Sequence, residues 1–282
     1  MSIGGNFKTI GKGPSVFRSG PFGGLSQYAI DWETWIIANG GNILPATLKI
    51  IDDNFFKPAA ANGNILDQLD RLNIYAGLNG YEIAARTNMI KNAHFVTPVS
   101  SPVFDNNGYK SAGAGSYLDL NYTPSTEAVK LQRNSSIEGY VVKNPGFSGT
   151  KRAIGGATFT GFTSRFDHIR ETGQLTVFQS DTTGSSNTNT VTSGNIFVAG
   201  RRTAASGANC KEAIIETNVQ GFNVASAQLT DVSLYELTAN YDGTDSSDVD
   251  TEYHLASFNG SSAFDYAVCR TLLLNTFTAL GV

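Results

Sequence analysis

Apolar residues recur from Ser26 onward with the period of an α-helix. Tyr28, Trp32, Trp35 and Ile36 follow the i, i+4, i+7, i+8 spacing of one helix face. Gly40 and Gly41 then supply a C-terminal stop. The pattern predicts a second helix from Pro45, a good first-turn residue, with Leu48, Ile51 and Phe55 as its stripe and Pro58 as its end. The segment 65–75 carries Leu66, Leu69 and Leu72 and reads as helical at first and strand-like at its end. Another short helix is expected over Glu82 to Ile90. Aromatic stripes at helical spacing are read as core.

Beyond Thr97 the helical period gives way to alternation. The alternating segments are 116–122, 136–143, 162–170, 175–180, 195–203, 212–218 and 232–238. Turn clusters such as NPGFSG, DTTGSSNTN and YDGTDSSD separate them. Many short strands joined by turns, with no helical pattern between them, predict an antiparallel sandwich or barrel. A final helix is expected from Phe264 to Leu280, capped by Ser262 and stopped by Gly281. The expected class is mainly β: an antiparallel jelly-roll sandwich over 98–282, preceded by a helical collar over 25–97 and an extended Gly-rich arm over 1–24.

That arm has little apolar periodicity and cannot pack a core of its own. Phe7, Ile10, Val16, Phe17 and Phe22 are spaced along it either as anchors for a neighbouring surface or as incidental aromatics of a loose terminus.

Composition agrees with the strand pattern and narrows the chemistry. Of 282 residues, 30 are Gly and only 16% are charged, which suits tight turns between strands. A net charge of −4 argues against a general electrostatic field for nucleic acid. Lys151, Arg152, Arg165, Arg170, Arg201 and Arg202 leave a local basic patch open beside the plainer reading of solvated strand faces. Cys210 and Cys269 form no Cys-x-x-Cys pair. Free buried thiols are expected, and a single bridge between them stays open. No secretory signal is read at the N-terminus, and no apolar run reaches the roughly 18 residues of a membrane span.

Candidate chemistry is sparse. His94, His168 and His254 lie far apart without metal-ligand spacing, and hydrolase, P-loop and dinucleotide signatures are missing. Asp242, Asp245, Asp248 and Asp250 crowd one loop and offer oxygen ligands of the kind calcium takes. Their spacing is not that of an EF-hand, and any solvated turn has this composition. Tyr109, Tyr122, Tyr235 and Tyr253 are candidates to stack on a sugar. For polysaccharide cleavage, Glu138, Asp167, Glu212, Glu216 and Glu236 are scattered rather than paired.

Four stretches resemble a known group: WIIANGGNILPATLKIIDDNFF (35–56), LDQLDRLNIYAG (66–77), SPVFDNNGYKSAGAGSYLDLNYTPS (101–125), and SLYELT (233–238) with HLASFNGSSAFDYAVCRTLLLNTFTALG (254–281). They are similar to phage virion proteins that carry a concanavalin A-like (laminin-G-like) jelly-roll domain after a short helical region. The resemblance spans about Trp35 to Gly281, and its motifs are structural. It implies a non-enzymatic virion structural protein of the fibre, tail or capsid-decoration type, made in the host cytoplasm. Its expected partners are capsid, portal or tail proteins and further copies of itself. A glycan-binding host-recognition module is the second expectation. The third is a polysaccharide-cleaving enzyme on the same scaffold.

Overall fold

Helices and strands alternate unequally along the chain. The computed structural model describes residues 24–143, 150–157, 163–169, 174–181, 185–187, 194–241, 244–245 and 252–282. The helices are α1 (Gln27–Ala38), α2 (Pro45–Ile51), α3 (Lys57–Ala61), α4 (Glu82–Arg86), α5 (Pro124–Glu127) and α6 (Tyr266–Leu280). The strands are β1 (Leu69–Ile74), β2 (Thr97–Val99), β3 (Val103–Asp105), β4 (Gly108–Lys110), β5 (Tyr117–Asp119) and β6 (Ser136–Lys143). They continue with β7 (Thr150–Ala157), β8 (Thr163–Ile169), β9 (Gln174–Asp181), β10 (Ser185–Asn187), β11 (Asn195–Arg202) and β12 (Lys211–Ile215). Last come β13 (Asn218–Phe222), β14 (Tyr235–Glu236), β15 (Asn240–Tyr241), β16 (Thr244–Asp245) and β17 (Tyr253–Gly260).

Two sheets result. One runs β13-β12-β11-β6-β17-β4-β3, with β1 also paired to β17. The other runs β10-β9-β8-β7-β14-β5-β2. The ladders are antiparallel except for the short β15–β7 pairing. The predicted antiparallel, mainly β class therefore holds, in the form of a sandwich. Strand β1 comes from the stretch expected to be helical at first: a 3-10 turn over Ile65–Gln68 precedes it, and β1 itself joins the first sheet.

Ser26 caps α1, its hydroxyl accepting from the Ala29 amide at 3.3 Å. Trp32 and Ile36 are buried, while Tyr28 and Trp35 pack at the margin of the core. The second helix does not stop at Pro58. A π-helical turn over Asp52–Phe56 follows α2, and α3 continues with Pro58 in its first turn. Proline lacks the N–H that an uninterrupted α-helix would need, and the wider turn before it lets the chain carry on. Asp52, fully buried here, accepts from the Ser26 amide at 3.0 Å and from the Ser26 hydroxyl, and it meets Lys57 at 3.1 Å.

Helix α6 lies on one face of the first sheet, where its Tyr266 stacks on Phe197 of β11 at 6.3 Å. Helix α6 packs on the π turn and on α2 and α3. Under it, Phe197 of β11 stacks on Phe258 of β17 at 5.4 Å, and Phe258 meets Phe264 at 5.6 Å. Each such ring contributes roughly 1.5–3 kcal/mol by leaving water. The N-cap of α6 is Asp265, which accepts from the Val268 amide at 3.0 Å, rather than the expected Ser262. Gly139 of β6 lies under this packing, and a methyl group there would come within 2.5 Å of both the Phe258 ring and the Val198 carbonyl.

Candidate functional site

The opposite face of the first sheet carries a buried polar network. Arg71 from β1 donates to Asn259 Oδ1, Asn73 Oδ1 and Ser257 Oγ, each at 2.9 Å. Asn259 Nδ2 in turn donates to Glu138 of β6 at 2.9 Å. Glu236, the inward residue of β14 in the other sheet, closes the network. Its Oε2 accepts from the Tyr75 hydroxyl and the Ser257 hydroxyl, both at 2.7 Å, and its Oε1 from His254 Nδ1 at 2.8 Å. His254 stacks on Tyr140 at 4.8 Å. Burial opposes the charge on Glu236, but His254, Arg71 and the Tyr75 hydroxyl outweigh it and hold its carboxyl below the ordinary range. Burial, reinforced by that same carboxylate, raises the Tyr75 hydroxyl far above its ordinary range, so it stays a donor.

The network thus joins two of the scattered carboxylates, Glu138 and Glu236, through Arg71. Both are at most 1% exposed, as are Tyr75 and His254. No substrate reaches groups so enclosed, so the network couples the sheets and does not form an open groove.

An open cleft lies elsewhere, at the edge where both sheets end. Strand β2 borders the second sheet and β3 borders the first, so the turn at 100–102 carries the chain from one sheet to the other. Ser100 and Ser101 in that turn hold φ of 52° and 54°. Left-handed backbone at a non-glycine residue costs of order 1–3 kcal/mol and gathers at binding sites. Beside the turn is a cleft of about 500 Å³ lined by Glu82, Arg86, Thr97, Ser101, Phe104 and two prolines, Pro98 and Pro102.

Helix α4 supplies its charged groups. Arg86 Nε donates to the Val96 carbonyl at 2.7 Å, and the guanidinium lies 4.4 Å over the Phe95 ring. These two contacts fix the plane of the group, and its terminal nitrogens have no partner among the described residues. Glu82 Oε1 accepts from the Tyr109 hydroxyl at 2.8 Å. Burial first, and Glu82 second, raise Tyr109 well above its ordinary range, so this donor does not titrate near neutrality. The cleft therefore presents a fixed guanidinium and an anchored carboxylate, with serine and threonine hydroxyls beside an aromatic ring and two prolines. Such a surface accepts and donates hydrogen bonds at its rim and offers apolar contact between them.

Several sequence expectations change here. Tyr109 and Tyr122 are fully buried, and Tyr235 is 7% exposed and stacked on Tyr117 at 4.2 Å, so these three present no ring to a sugar. Tyr253 is half-buried and donates to Asp105; burial first, and Asp105 second, push its hydroxyl up to about 12. Arg202 is buried, and Arg201 pairs with Glu212 at 2.6 Å, which removes both from any basic patch. Cys210 and Cys269 are both buried and free, so there is no bridge between them. Asp245 lies in β16, while Asp242, Asp248 and Asp250 fall outside the described residues, as do Phe7, Ile10, Val16, Phe17 and Phe22. Among the described residues no cluster of His, Cys, Asp or Glu forms a metal site, and no helix is long and apolar enough to cross a membrane. Sequence reasoning missed Glu82 and Arg86. Their helix was expected, but nothing in its pattern showed that strands β2 and β3 would bring a turn against it.

No protein-family model and no curated protein matches the sequence. Solved structures do match in fold. Trypanosoma rangeli sialidase in complex with sialic acid shares 11% identity at a TM-score of 0.50, over 76% of this chain and 34% of the sialidase chain. The same sialidase in complex with 2,3-difluoro-KDN gives 11% identity and a TM-score of 0.50, over 82% of this chain and 40% of that one. This chain spans about a third of the length of the first of these. At such identity the likeness is one of fold alone. The two solved proteins named here are sialidases and not virion parts. That finding overturns the expectation of a non-enzymatic virion structural protein.

Proposed function

We propose that this chain is the saccharide-engaging jelly-roll sandwich of a glycan-processing enzyme, and that the cleft beside α4 holds the sugar. One observation carries this reading. The cleft sets the uncommitted guanidinium nitrogens of Arg86 and the Tyr109-anchored carboxylate of Glu82 around Phe104, Thr97 and Ser101. A pyranose ring has hydroxyls round its edge and C–H groups on its faces. Planar charged groups at the rim take the hydroxyls in pairs, and the ring of Phe104 takes the C–H face. The shared fold with a sialidase supports the same class of ligand.

Glu82 is the one carboxylate among the residues lining the cleft. Most two-carboxylate glycosidases place their pair roughly 5–10 Å apart. The role assigned to this cleft is therefore to hold and orient saccharide for the enzyme. A virion location, implied by the resemblance to phage domains, enters this reading only as a place where such an enzyme would work.

A glycan array followed by calorimetry on the full chain tests the reading, with release of aryl alcohol from aryl glycosides measured alongside. The expected result is saturable binding of at least one saccharide, weakened tenfold or more by Arg86→Ala and by Phe104→Ala. Absence of both saccharide binding and glycoside turnover overturns it.

A further inference from the structure

The segment that follows α4 encloses a second, smaller cavity of about 110 Å³, apart from the cleft. A single buried water needs only about 10–15 Å³ on a comparable measure, so there is room for a polyatomic group. Its lining includes Asn39, Lys91, Asn92 and His94.

The polar groups here are donors in excess. The Lys91 ammonium has no partner among the described residues. Asn92 Oδ1 accepts from Asn39 Nδ2 at 3.4 Å, which leaves the Asn92 amide nitrogen without an acceptor. His94 is held in place at φ 57° and through its Nδ1, 2.8 Å from the Asn121 carbonyl. Its ring stands edge-on to Tyr122 at 5.0 Å. No carboxylate lines the cavity. Glu127 is 3.8 Å from the same Nδ1 that faces Asn121, which leaves the second ring nitrogen for another partner.

We propose that this cavity binds a small tetrahedral oxyanion, the sulfate or phosphate group, held by the Lys91 ammonium, the Asn92 amide and the protonated ring of His94. Such groups make charge-assisted bonds with ammonium and imidazolium donors. The surroundings hold His94 below its ordinary value. Burial is the first cause, with Lys91 and Arg71 adding repulsion against the opposing pull of the Asn121 carbonyl and Glu127. An anion supplies the missing negative charge and raises that value. Linkage then makes binding tighter as pH falls through the titration of His94.

The inference stands apart from the saccharide reading, and its test does not depend on it. The full chain is titrated with sodium sulfate, with sodium chloride at equal ionic strength, and with a sulfated monosaccharide. Histidine ring resonances are followed by NMR, and His94→Gln assigns the signal. Sulfate is used because it keeps its charge across the range. The expected result is saturable sulfate binding at least about fivefold tighter at pH 5.5 than at pH 8, with a raised His94 titration, both lost in Lys91→Ala. A sulfated sugar that binds more tightly than sulfate identifies the group as sugar-borne, and equal binding identifies the free anion. Phe104→Ala, at a residue that lines the cleft and not this cavity, leaves the sulfate response unchanged. A response equal to that of chloride, or one that survives Lys91→Ala, overturns the proposal.

Discussion

His254 Nδ1 and Glu236 Oε1 lie 2.8 Å apart with neither side chain exposed, although the two residues belong to different sheets. Removing one member of a buried pair leaves the other charge without compensation, at about 3–5 kcal/mol. Glu236→Leu is therefore expected to destabilise the chain by about 3 kcal/mol or more, read as a lower urea midpoint.

The same carboxylate sets an acid limit. Its folded-state value is depressed, so the stability it contributes is present in full above the ordinary carboxylate range. That contribution is lost as pH falls from that range through the depressed folded value, because the unfolded chain takes up the proton more readily. Urea midpoints measured from pH 7 down to pH 3 should fall over the acid part of the range. In Glu236→Gln the fall should be shallower, and an unchanged slope would count against this role.

Asp70 performs a comparable task with backbone partners. Its carboxylate accepts from the amides of Val129, Lys130 and Leu131 at 2.8–3.0 Å and from the Tyr122 hydroxyl at 3.3 Å. Asp70→Ala strands these donors, each costing roughly 1–3 kcal/mol where it stays buried. Hydrogen exchange at 129–131 should accelerate well before global unfolding, and protection equal to that of the unmodified chain would refute the clamp.

Gly108 tolerates no side chain. It sits at φ +101°, and a methyl group would come within 2.2 Å of the His254 carbonyl. Gly108→Ala should lower the thermal midpoint by more than the same substitution at Gly113, where a methyl group would meet nothing within 4 Å although φ is positive there too. Equal effects at the two sites would show that backbone conformation alone decides.

The thiols should be silent in the folded chain. Burial pushes Cys269 far above the ordinary thiol range, and Cys210 is enclosed beside the Val224 carbonyl, 3.2 Å from its sulfur. A thiol-reactive dye should label neither residue natively and both in urea. Native labelling of Cys269 would contradict its placement on the buried face of α6.

Periodicity located the elements better than it located their roles. The i, i+4, i+7, i+8 stripe of Tyr28, Trp32, Trp35 and Ile36 is local, and so is the alternation of β6 and β11, so both were readable from spacing alone. The π turn before Pro58 was not, because it depends on Asp52 reaching back to Ser26 across the fold. Tyr109, Tyr122 and Tyr235 alternate as half-exposed strand residues would, yet the facing sheet and its neighbours cover them. The cleft escaped the sequence for the same reason: Arg86 and Phe104 lie 18 positions apart, and only the chain's passage between sheets brings them together.

That passage has a mechanical consequence. The turn at 100–102 is a stitch between two layers, tied to one by β2 and to the other by β3. A molecule wedged against Ser101, Thr97 and Phe104 touches the thread on both sides of the seam at once. Its binding energy would resist the layers sliding apart, so occupancy would be felt as stiffness along the whole edge and not only at the residues in contact.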